Sequence, residues 1–395
     1  MINSTNTLRV GIVGIGNIGT AHAHNIASNR VNGMQLCALC DINYAKKDIL
    51  EKDFPNTPFF TEYKKMFESG LIDAVIISTP HKLHADISEE ALLSGLHVLV
   101  EKPVDITVSK AERINLIASE SDKVFAIMFN QRTNPLFAKA RDIVKSGKLG
   151  KLKRSVWIIT NWYRSQSYYD SGDWRATWDG EGGGVLINQA PHNLDLWQWI
   201  CGMPNEISSY CGIGKYHNIE VEDDVTIFAK YESGATGVFI TSTGEYPGTN
   251  RLEIIGDLGK LVLEGGVLKW WALKQSERDV CFSSKVNSPV IETEYKEIRQ
   301  TGTEASHLGI LQNFTNAVLG KEPLLSPGIE GINELMISNA AYLSAQNGSV
   351  PISLPLNTNK FDEMLTGLSS VSKTKRQNIG ETKNNEYSSR WKVRW

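Results

Sequence analysis

Short apolar runs alternate with amphipathic segments along the first 130 residues of the chain. The runs have the length and β-branched composition of buried strands, and the segments between them carry apolar residues at helical spacing. The predicted strands are Leu8–Val13, Met34–Cys40, Ala74–Ser78, His97–Val100 and Val124–Phe129. The predicted helices are Asn17–Ser28, Asn43–Lys52, Lys82–Ser94 and Val108–Ser119. Strands that alternate with helices predict an α/β fold, so we expect residues 1–130 to form a doubly wound parallel sheet.

A different pattern begins at about residue 131. The helical segment Asn134–Lys145 precedes longer runs in which apolar and polar residues alternate, as in strands that bury one face. The predicted strands are Leu152–Trp162, Ile207–Gly212, Asp224–Tyr231, Thr236–Ser242, Leu252–Ile255 and Lys260–Leu263. Two helices, His307–Leu319 and Gly331–Asn347, are predicted after them. We therefore expect residues 131–356 to form a second α/β domain on a large, mostly antiparallel sheet with one open face.

The composition is that of an ordinary globular protein. The chain has 395 residues, of which 41% are hydrophobic and 22% charged, and its formal net charge is −3. This length favours two domains, and the near-neutral charge disfavours nucleic-acid binding. No run approaches the ~20 apolar residues that a membrane span needs, and five scattered cysteines fit a reducing compartment. We expect a cytoplasmic protein with no nucleic-acid or membrane partner.

The last segment, residues 357–395, is polar and basic. From Lys373 to Trp395 it contains seven Lys or Arg residues and two Glu, a charge of +5 that leaves −8 on the rest of the chain. Its end carries Trp391 and Trp395. We expect these two residues to dock on the body of the protein or on a neighbouring subunit, the alternative being an unstructured end.

A glycine-rich motif, Gly14-Ile-Gly16-Asn17-Ile18-Gly19, links the first predicted strand to the first predicted helix. In this setting the glycines permit a tight turn and let the backbone approach a pyrophosphate at the helix N-terminus. Asp41 ends the next predicted strand, where a carboxylate binds the adenosine ribose and repels a 2′-phosphate. The pattern predicts NAD rather than NADP as cofactor, although Asn43 and Lys46 lie close to Asp41 in sequence.

Glu101-Lys102-Pro103 follows the predicted strand His97–Val100 directly. Ligands of open α/β sheets bind outside the carboxyl ends of the strands, so Lys102 is expected in the cleft. A partly desolvated lysine beside a nicotinamide can hydrogen-bond a reacting hydroxyl. Taken alone, such a tripeptide would instead be a surface turn.

Together these motifs resemble the Gfo/Idh/MocA oxidoreductase family. The resemblance rests on the glycine motif with Asp41, on Ser78-Thr79-Pro80, on Glu101-Lys102-Pro103 and on Gly182-Gly-Gly-Val-Leu-Ile-Asn188-Gln-Ala-Pro-His192-Asn-Leu-Asp195. It extends to about residue 355 and implies a Rossmann domain joined to an α/β domain with a large open sheet. It also implies a bound nicotinamide cofactor and a homo-oligomer, a tetramer or larger. We expect no metal site.

The motifs and the resemblance together assign residues to the cofactor site. These are Gly14, Gly16, Asn17, Ile18, Gly19, Asp41, Ser78, Thr79, Pro80, His84, Glu101, Lys102 and Asn130. His22 and His81 are expected on the nicotinamide side.

His192 is the second expected catalytic residue, beside Lys102. The resemblance favours a general acid/base role over a structural histidine, and an ordinary pKa near ~6.5 suits reversible proton transfer. At helical spacing His192 shares one stripe with Asn188, Asp195 and Trp199, although Pro191 must begin or kink that helix. Many members of the family have Asp where this chain has Asn188. Asn188 can orient a hydroxyl but cannot hold a proton, which places the proton chemistry on Lys102 and His192.

Seven aromatic residues lie between Trp157 and Trp178, interleaved with polar side chains. Flat rings beside multidentate polar groups suit sugars, whose C–H faces stack while their hydroxyls need partners. The residues expected to bind substrate are Lys102, Asn161, Trp162, Tyr163, Trp174, Arg175, Asn188 and His192. The alternative is an aromatic subunit interface or a core, to which Trp157 would belong.

The sequence therefore favours an NAD-dependent dehydrogenase that acts on a secondary hydroxyl, at C3, of a sugar, a glycoside or an anhydro-sugar. The resemblance is to members that act on glycosides and on levoglucosan. Two alternatives remain open: a hydrolase or lyase that retains NAD and recycles the hydride, and a non-enzymatic sensor of nucleotide and sugar. Retention of Lys102 and His192 argues against the sensor.

Overall fold

The computed structural model describes residues 7–300 and 305–372. These residues form two compact units, one built from 7–133 and 305–335 and the other from 134–300 and 336–372. Within the described ranges, no helix combines the length and the apolar character that crossing a membrane would require.

The strands are β1 (Leu8–Val13), β2 (Met34–Cys40), β3 (Phe59–Phe60), β4 (Ala74–Ile77), β5 (His97–Val100), β6 (Phe125–Ile127), β7 (Leu152–Ile159), β8 (Glu206–Ile213), β9 (Glu222–Lys230), β10 (Thr236–Ser242), β11 (Asn250–Gly256), β12 (Gly259–Glu264), β13 (Val267–Leu273), β14 (Thr293–Arg299) and β15 (Ile352–Ser353). The helices are α1 (Asn17–Ala27), α2 (Lys47–Asp53), α3 (Tyr63–Glu68), α4 (His84–Leu93), α5 (Val108–Glu120), α6 (Pro135–Lys145), α7 (Gln166–Tyr169), α8 (Val185–Asn188), α9 (Pro191–Cys201), α10 (Glu277–Ser283), α11 (Ser306–Val318), α12 (Gly331–Gln346) and α13 (Thr358–Ser370).

The first unit contains a parallel sheet of six strands in the order β3-β2-β1-β4-β5-β6. All four residues of β4 are fully buried, as expected of a strand that is covered on both faces. The strand order reverses between β1 and β4, and such a reversal places a crevice at the carboxyl ends of the strands. The predicted doubly wound parallel sheet is confirmed.

Segment 305–335 belongs to this first unit, although its position in the sequence predicted that it would belong to the second domain. Helix α11 packs Ile310, Leu311, Phe314 and Val318 into the core of the parallel sheet. Their spacing makes one apolar face, and an apolar face alone does not say which sheet it will cover. Only the packing of distant segments assigns the helix to its unit.

The second unit contains a sheet of nine strands in the order β14-β13-β12-β11-β7-β10-β9-β8-β15. Neighbouring strands are antiparallel except for β7 and β10. On the covered face, Trp157 packs against Phe137 and Phe239, and Trp197 donates a hydrogen bond from its indole N–H to Ser155 Oγ at 3.0 Å. Trp157 is fully buried, which confirms that it belongs to the core. The expected large, mostly antiparallel sheet is thus present.

Several element boundaries differ from the expectations. Strands β4, β6 and β7 are shorter at their C-terminal ends than predicted. They end before Ser78, Phe129 and Trp162, the last residues of the predicted strands, because the neighbouring strands end and the chain turns away. Strands β13 and β14 and helix α10 were not predicted. Helix α13 lies in the segment expected to be a polar tail and buries Phe361 and Leu365. Residues 373–395, with Trp391 and Trp395, lie outside the described residues.

Candidate functional site

Four adjacent strands of the parallel sheet are each followed at once by a residue assigned to the cofactor. Gly14 follows β1, Asp41 follows β2, Ser78 follows β4 and Glu101 follows β5. Because the strands are parallel and neighbouring, these residues lie along the same edge of the sheet. The order of the strands thus brings residues that are up to 87 positions apart in the sequence to one edge of the sheet.

The glycine turn between β1 and α1 is tight on one side and open on the other. Gly14 has a φ of +89°, and a Cβ there would lie 2.6 Å from the Ser78 carbonyl oxygen. A Cβ on Gly19 would lie 2.0 Å from the Gly14 carbonyl oxygen, so the helix packs directly on the turn. A Cβ on Gly16 would meet nothing within 4 Å. The turn therefore leaves backbone accessible at the N-terminus of α1, and this fits a bound pyrophosphate.

Asp41 is held in place by the loops that surround it. Its carboxylate accepts hydrogen bonds from the backbone N–H groups of Ile15 and Asn43, each at 2.9 Å. Lys46 Nζ lies 2.6 Å from the same carboxylate and also donates to the Ile15 carbonyl at 3.0 Å. The carboxylate is thus oriented beside the glycine turn, where a ribose diol can donate to it. These residues fit NAD.

His84 joins two loops of the site. One ring nitrogen lies 2.7 Å from the Pro103 carbonyl oxygen and the other 2.8 Å from that of Thr79. Burial lowers the pKa of His84, against the raising effect of these two carbonyl contacts. Both ring nitrogens thus contact backbone and join these two loops, and a contact of His84 with the cofactor stays a prediction.

Glu101 faces the helix that follows the glycine turn. Its carboxylate lies 2.8 Å from His22 Nε2, and both side chains are buried. Burial acts to raise the pKa of Glu101, but the hydrogen bond with His22, together with the nearby basic groups of His22, His307 and Lys102, holds that pKa below its usual value. Asn130 also lies in this unit and donates from Nδ2 to Ser306 Oγ at 2.9 Å. Lys102 follows Glu101 directly and is partly exposed.

His192 lies in the first turn of α9, in the second unit. Pro191 occupies the start of this helix, as its missing N–H requires, and Asn188 belongs to the separate short helix α8. The expected stripe from Asn188 to Trp199 is therefore interrupted. Residues 191–200 are all buried, so the stripe of α9 that carries His192 does not face bulk solvent.

Asn188 is the one residue between 181 and 200 that is partly exposed. Its Oδ1 lies 3.3 Å from the Tyr168 hydroxyl. The same hydroxyl receives hydrogen bonds from Arg175 Nη1 at 2.7 Å and from Gln189 Nε2 at 3.1 Å. The guanidinium of Arg175 lies between the rings of Tyr168 and Trp174, 4.5 and 4.6 Å from their centroids. These residues form a connected polar and aromatic cluster.

The aromatic residues expected to bind substrate differ in exposure. Trp162 is only 5% exposed, so little of its ring remains for a ligand to stack on. Tyr163 is 50% exposed and packs edge-on against Tyr246, and Trp174 is 36% exposed. Asn161 is partly exposed beside them in sequence. The available ring surface is thus on Tyr163 and Trp174.

This unit contains two buried carboxylates, Glu222 and Glu181, that were not predicted from the sequence. Glu222 accepts hydrogen bonds from the N–H groups of Gly184 and Leu186, each at 2.9 Å, and from the Tyr342 hydroxyl at 2.7 Å. Burial raises the pKa of Glu222 to about 7 despite these donors. Glu181 contacts Asn188 directly. The triple glycine that follows Glu181 was the available signal, because glycine lets a carboxylate approach backbone N–H groups closely.

Across the residues that the structure describes, no group of three or more His, Cys, Asp or Glu side chains could hold a metal ion.

Both units match known families. Residues 8–129 match the model of the oxidoreductase family with an NAD-binding Rossmann fold, and residues 137–262 match that of the GFO/IDH/MocA C-terminal domain. Among curated proteins, the scyllo-inositol 2-dehydrogenase (NAD(+)) of Bacillus subtilis (strain 168) is 26% identical over 355 residues. That alignment covers 88% of this chain and 96% of the relative.

Solved structures of the same architecture carry the cofactor. The WlbA dehydrogenase from Bordetella pertussis, in complex with NADH and UDP-GlcNAcA, has a TM-score of 0.74 at 26% identity, covering 89% of this chain and all of that one. A levoglucosan dehydrogenase in complex with NADH and levoglucosan has a TM-score of 0.72 at 19% identity, covering 88% and 100% of the two chains, and shows the same fold. With the strand order, the glycine turn and both family matches in agreement, the chain belongs to the GFO/IDH/MocA family of NAD-binding oxidoreductases.

Proposed function

We propose that the protein is an NAD-dependent dehydrogenase that oxidises a secondary hydroxyl, at C3, of a sugar, a glycoside or an anhydro-sugar. The cluster of Tyr168, Trp174, Arg175 and Asn188 carries this proposal. It combines exposed ring surface with hydrogen-bonding groups in fixed positions, which is what a carbohydrate requires. The inositol relative and the levoglucosan and UDP-sugar dehydrogenases support the substrate class.

The proposal divides the chemistry between two side chains. Lys102 hydrogen-bonds the reacting oxygen and stabilises the negative charge that develops on it. His192 takes the proton of the hydroxyl during oxidation and returns it during reduction. Bound NAD supplies the hydride acceptor. Asn161, Tyr163, Trp174, Arg175 and Asn188 are proposed to bind the sugar.

The test is a screen of glucosides, inositols and anhydro-sugars with NAD, following the absorbance of the reduced cofactor. We expect turnover with at least one sugar and a loss of about 10²- to 10⁴-fold in kcat for Lys102→Ala. Lys64→Ala, on the exposed surface of α3, is the matched control and should keep full activity. Failure to oxidise any sugar, or full activity in Lys102→Ala, would contradict the proposal. Cleavage of a glycoside without net NADH would indicate the hydride-recycling hydrolase or lyase instead.

We also propose that a second copy of the chain covers the outer face of the nine-stranded sheet. The centre of this face is apolar, with Val156, Ile158, Val238, Ile240 and Phe228 partly or largely exposed on neighbouring strands. Charges of both signs surround it, including the ion-paired Arg251, Glu253 and Glu264. An apolar centre with a mixed-charge rim is typical of an interface between like subunits.

A further inference from the structure

Glu181 is a buried carboxylate to which the proposed reaction gives no role. It is 1% exposed and lies in the loop before the triple glycine. Its Oε2 accepts the backbone N–H of Ala176 at 2.6 Å, and its Oε1 accepts a hydrogen bond from Asn188 Nδ2. Arg175 Nη1 lies 3.8 Å from the same Oε1. The carboxylate is therefore built into the cluster that carries the proposed function.

The contact with Glu181 sets the orientation of the Asn188 amide. An ionised carboxylate only accepts hydrogen bonds, so the side-chain NH₂ of Asn188 must face it. The opposite orientation would place the Asn188 oxygen against a carboxylate oxygen. The Oδ1 of Asn188 consequently faces the Tyr168 hydroxyl, 3.3 Å away.

The Tyr168 hydroxyl is oriented in the same way. Arg175 and Gln189 both donate to its oxygen, so its single proton is left to point at Asn188 Oδ1. The hydrogen bonds therefore run in one direction, from Arg175 through Tyr168 and Asn188 to Glu181. A cation begins this chain and an anion ends it, and such chains polarise their members.

We propose that Glu181 is a positioning residue that makes Asn188 a hydrogen-bond acceptor for the substrate. Asn188 is partly exposed, and an amide oxygen that accepts from Tyr168 has a second lone pair with which it can accept from a substrate hydroxyl. The site would then select a sugar with a free hydroxyl at that position over a sugar in which the position is deoxygenated or O-methylated. This inference rests on the proposed function, because it takes the cluster to be the carbohydrate site.

The test exchanges the charge between positions 181 and 188. In Glu181→Gln, the side-chain oxygen still accepts from Ala176, and its NH₂ then faces residue 188 and forces the Asn188 amide to turn over. Residue 188 would present NH₂ in place of oxygen, so we expect the KM for the best sugar to rise at least about tenfold, with a smaller change in kcat. Adding Asn188→Asp to Glu181→Gln restores an acceptor that is hydrogen-bonded to Gln, and we expect KM to return to within about threefold of the wild type.

Asn188→Asp alone places two carboxylates in contact. Two carboxyl groups in contact cannot both ionise freely. We therefore expect the KM for the sugar to be higher than in the wild type and to fall as the pH is lowered. Glu232→Gln, in an exposed turn of the same unit, is the control and should match the wild type. NADH binding, followed by fluorescence, shows that each variant is folded and should be unchanged, because Glu181 is not among the residues assigned to the cofactor.

The outcomes separate the two proposals. A wild-type enzyme that oxidises no sugar overturns the proposed function and this inference with it. An active wild type with an unchanged KM in Glu181→Gln overturns only the inference. A raised KM that the double variant fails to restore also overturns it, because a purely structural role would not be rescued by exchanging the charge.

Discussion

The buried side chains near Lys102 depend on neighbours that are far away in the sequence. The His307 ring lies 5.8 Å from the His22 ring, and His22 bonds Glu101. Burial lowers the pKa of His307 to about 4; the charge of Glu101 opposes this shift, while His22 and Lys102 reinforce it. His307 therefore stays neutral at pH values at which a histidine of the unfolded chain takes up a proton.

This neutrality makes the free energy of unfolding depend on pH. Between about pH 6.5 and pH 4 the unfolded chain binds a proton at His307 that the folded chain does not, so the protein should lose stability as the pH falls through this range. In His307→Gln the free energy of unfolding should fall less over this pH range than in the wild type, by at most about 3 kcal/mol. Urea unfolding at several pH values measures it, with His24→Gln on the exposed face of α1 as control. If the free energy of unfolding depended equally on pH in the wild type and in His307→Gln, the lowered pKa of His307 would be contradicted.

At the scale of elements, the turn between β1 and α1 uses its glycines for different purposes. Gly19 is needed by the fold, since a Cβ would overlap the carbonyl of Gly14. Gly16 has open space around it, so its lack of a side chain matters for what approaches from outside. One motif therefore serves both the packing of a helix and the binding of a cofactor.

Alanine substitutions should separate these two purposes. Gly16→Ala should leave the free energy of unfolding within about 0.5 kcal/mol of the wild type and weaken NADH binding. Gly19→Ala should weaken NADH binding and also destabilise the protein by about 1–3 kcal/mol through overpacking.

The control for Gly19→Ala is Gly367→Ala. Gly367 also lies within a helix, α13, but a Cβ there would meet nothing within 4 Å. Its replacement by Ala should stabilise the protein by up to about 1 kcal/mol. Denaturant unfolding and NADH fluorescence titration measure both effects. Equal stability of Gly19→Ala and Gly16→Ala would disprove the distinction.

At the scale of the whole molecule, the proposed assembly rests on the outer face of the nine-stranded sheet. Phe228, on β9, is 40% exposed and pairs across the sheet with Val238 on one side and Ser208 on the other. Apolar surface of this kind is costly to leave in water, and a second copy would remove it from solvent.

A charge placed on this face should break the assembly. We expect the wild type to have a mass in solution of several chains and Phe228→Glu to have a lower one, because burying an unpaired carboxylate is unfavourable. The control is Phe282→Glu on helix α10, where the phenylalanine is 77% exposed, and this variant should keep the wild-type mass. Light scattering coupled to size exclusion measures the three masses. A wild type with the mass of one chain would contradict the proposed assembly.

Local patterns determined the main features of the architecture. Apolar runs and helical spacing depend on neighbouring residues, so they predicted the parallel sheet, the larger antiparallel sheet and the glycine turn with Asp41. The same reasoning could place Pro191 at a helix start, since the missing N–H is a property of the residue itself. The family followed from motifs that are each contiguous in the chain.

Packing between distant segments decided what those patterns left open. It assigned α11 to the parallel sheet, buried Trp162 and residues 191–200 of α9, and gave His84 two carbonyl partners. It also brought His307 to His22, across 285 residues, and set Glu181 against Asn188. Burial, pKa and hydrogen-bond direction are properties of an environment, and the environment of these side chains exists only once the chain has folded.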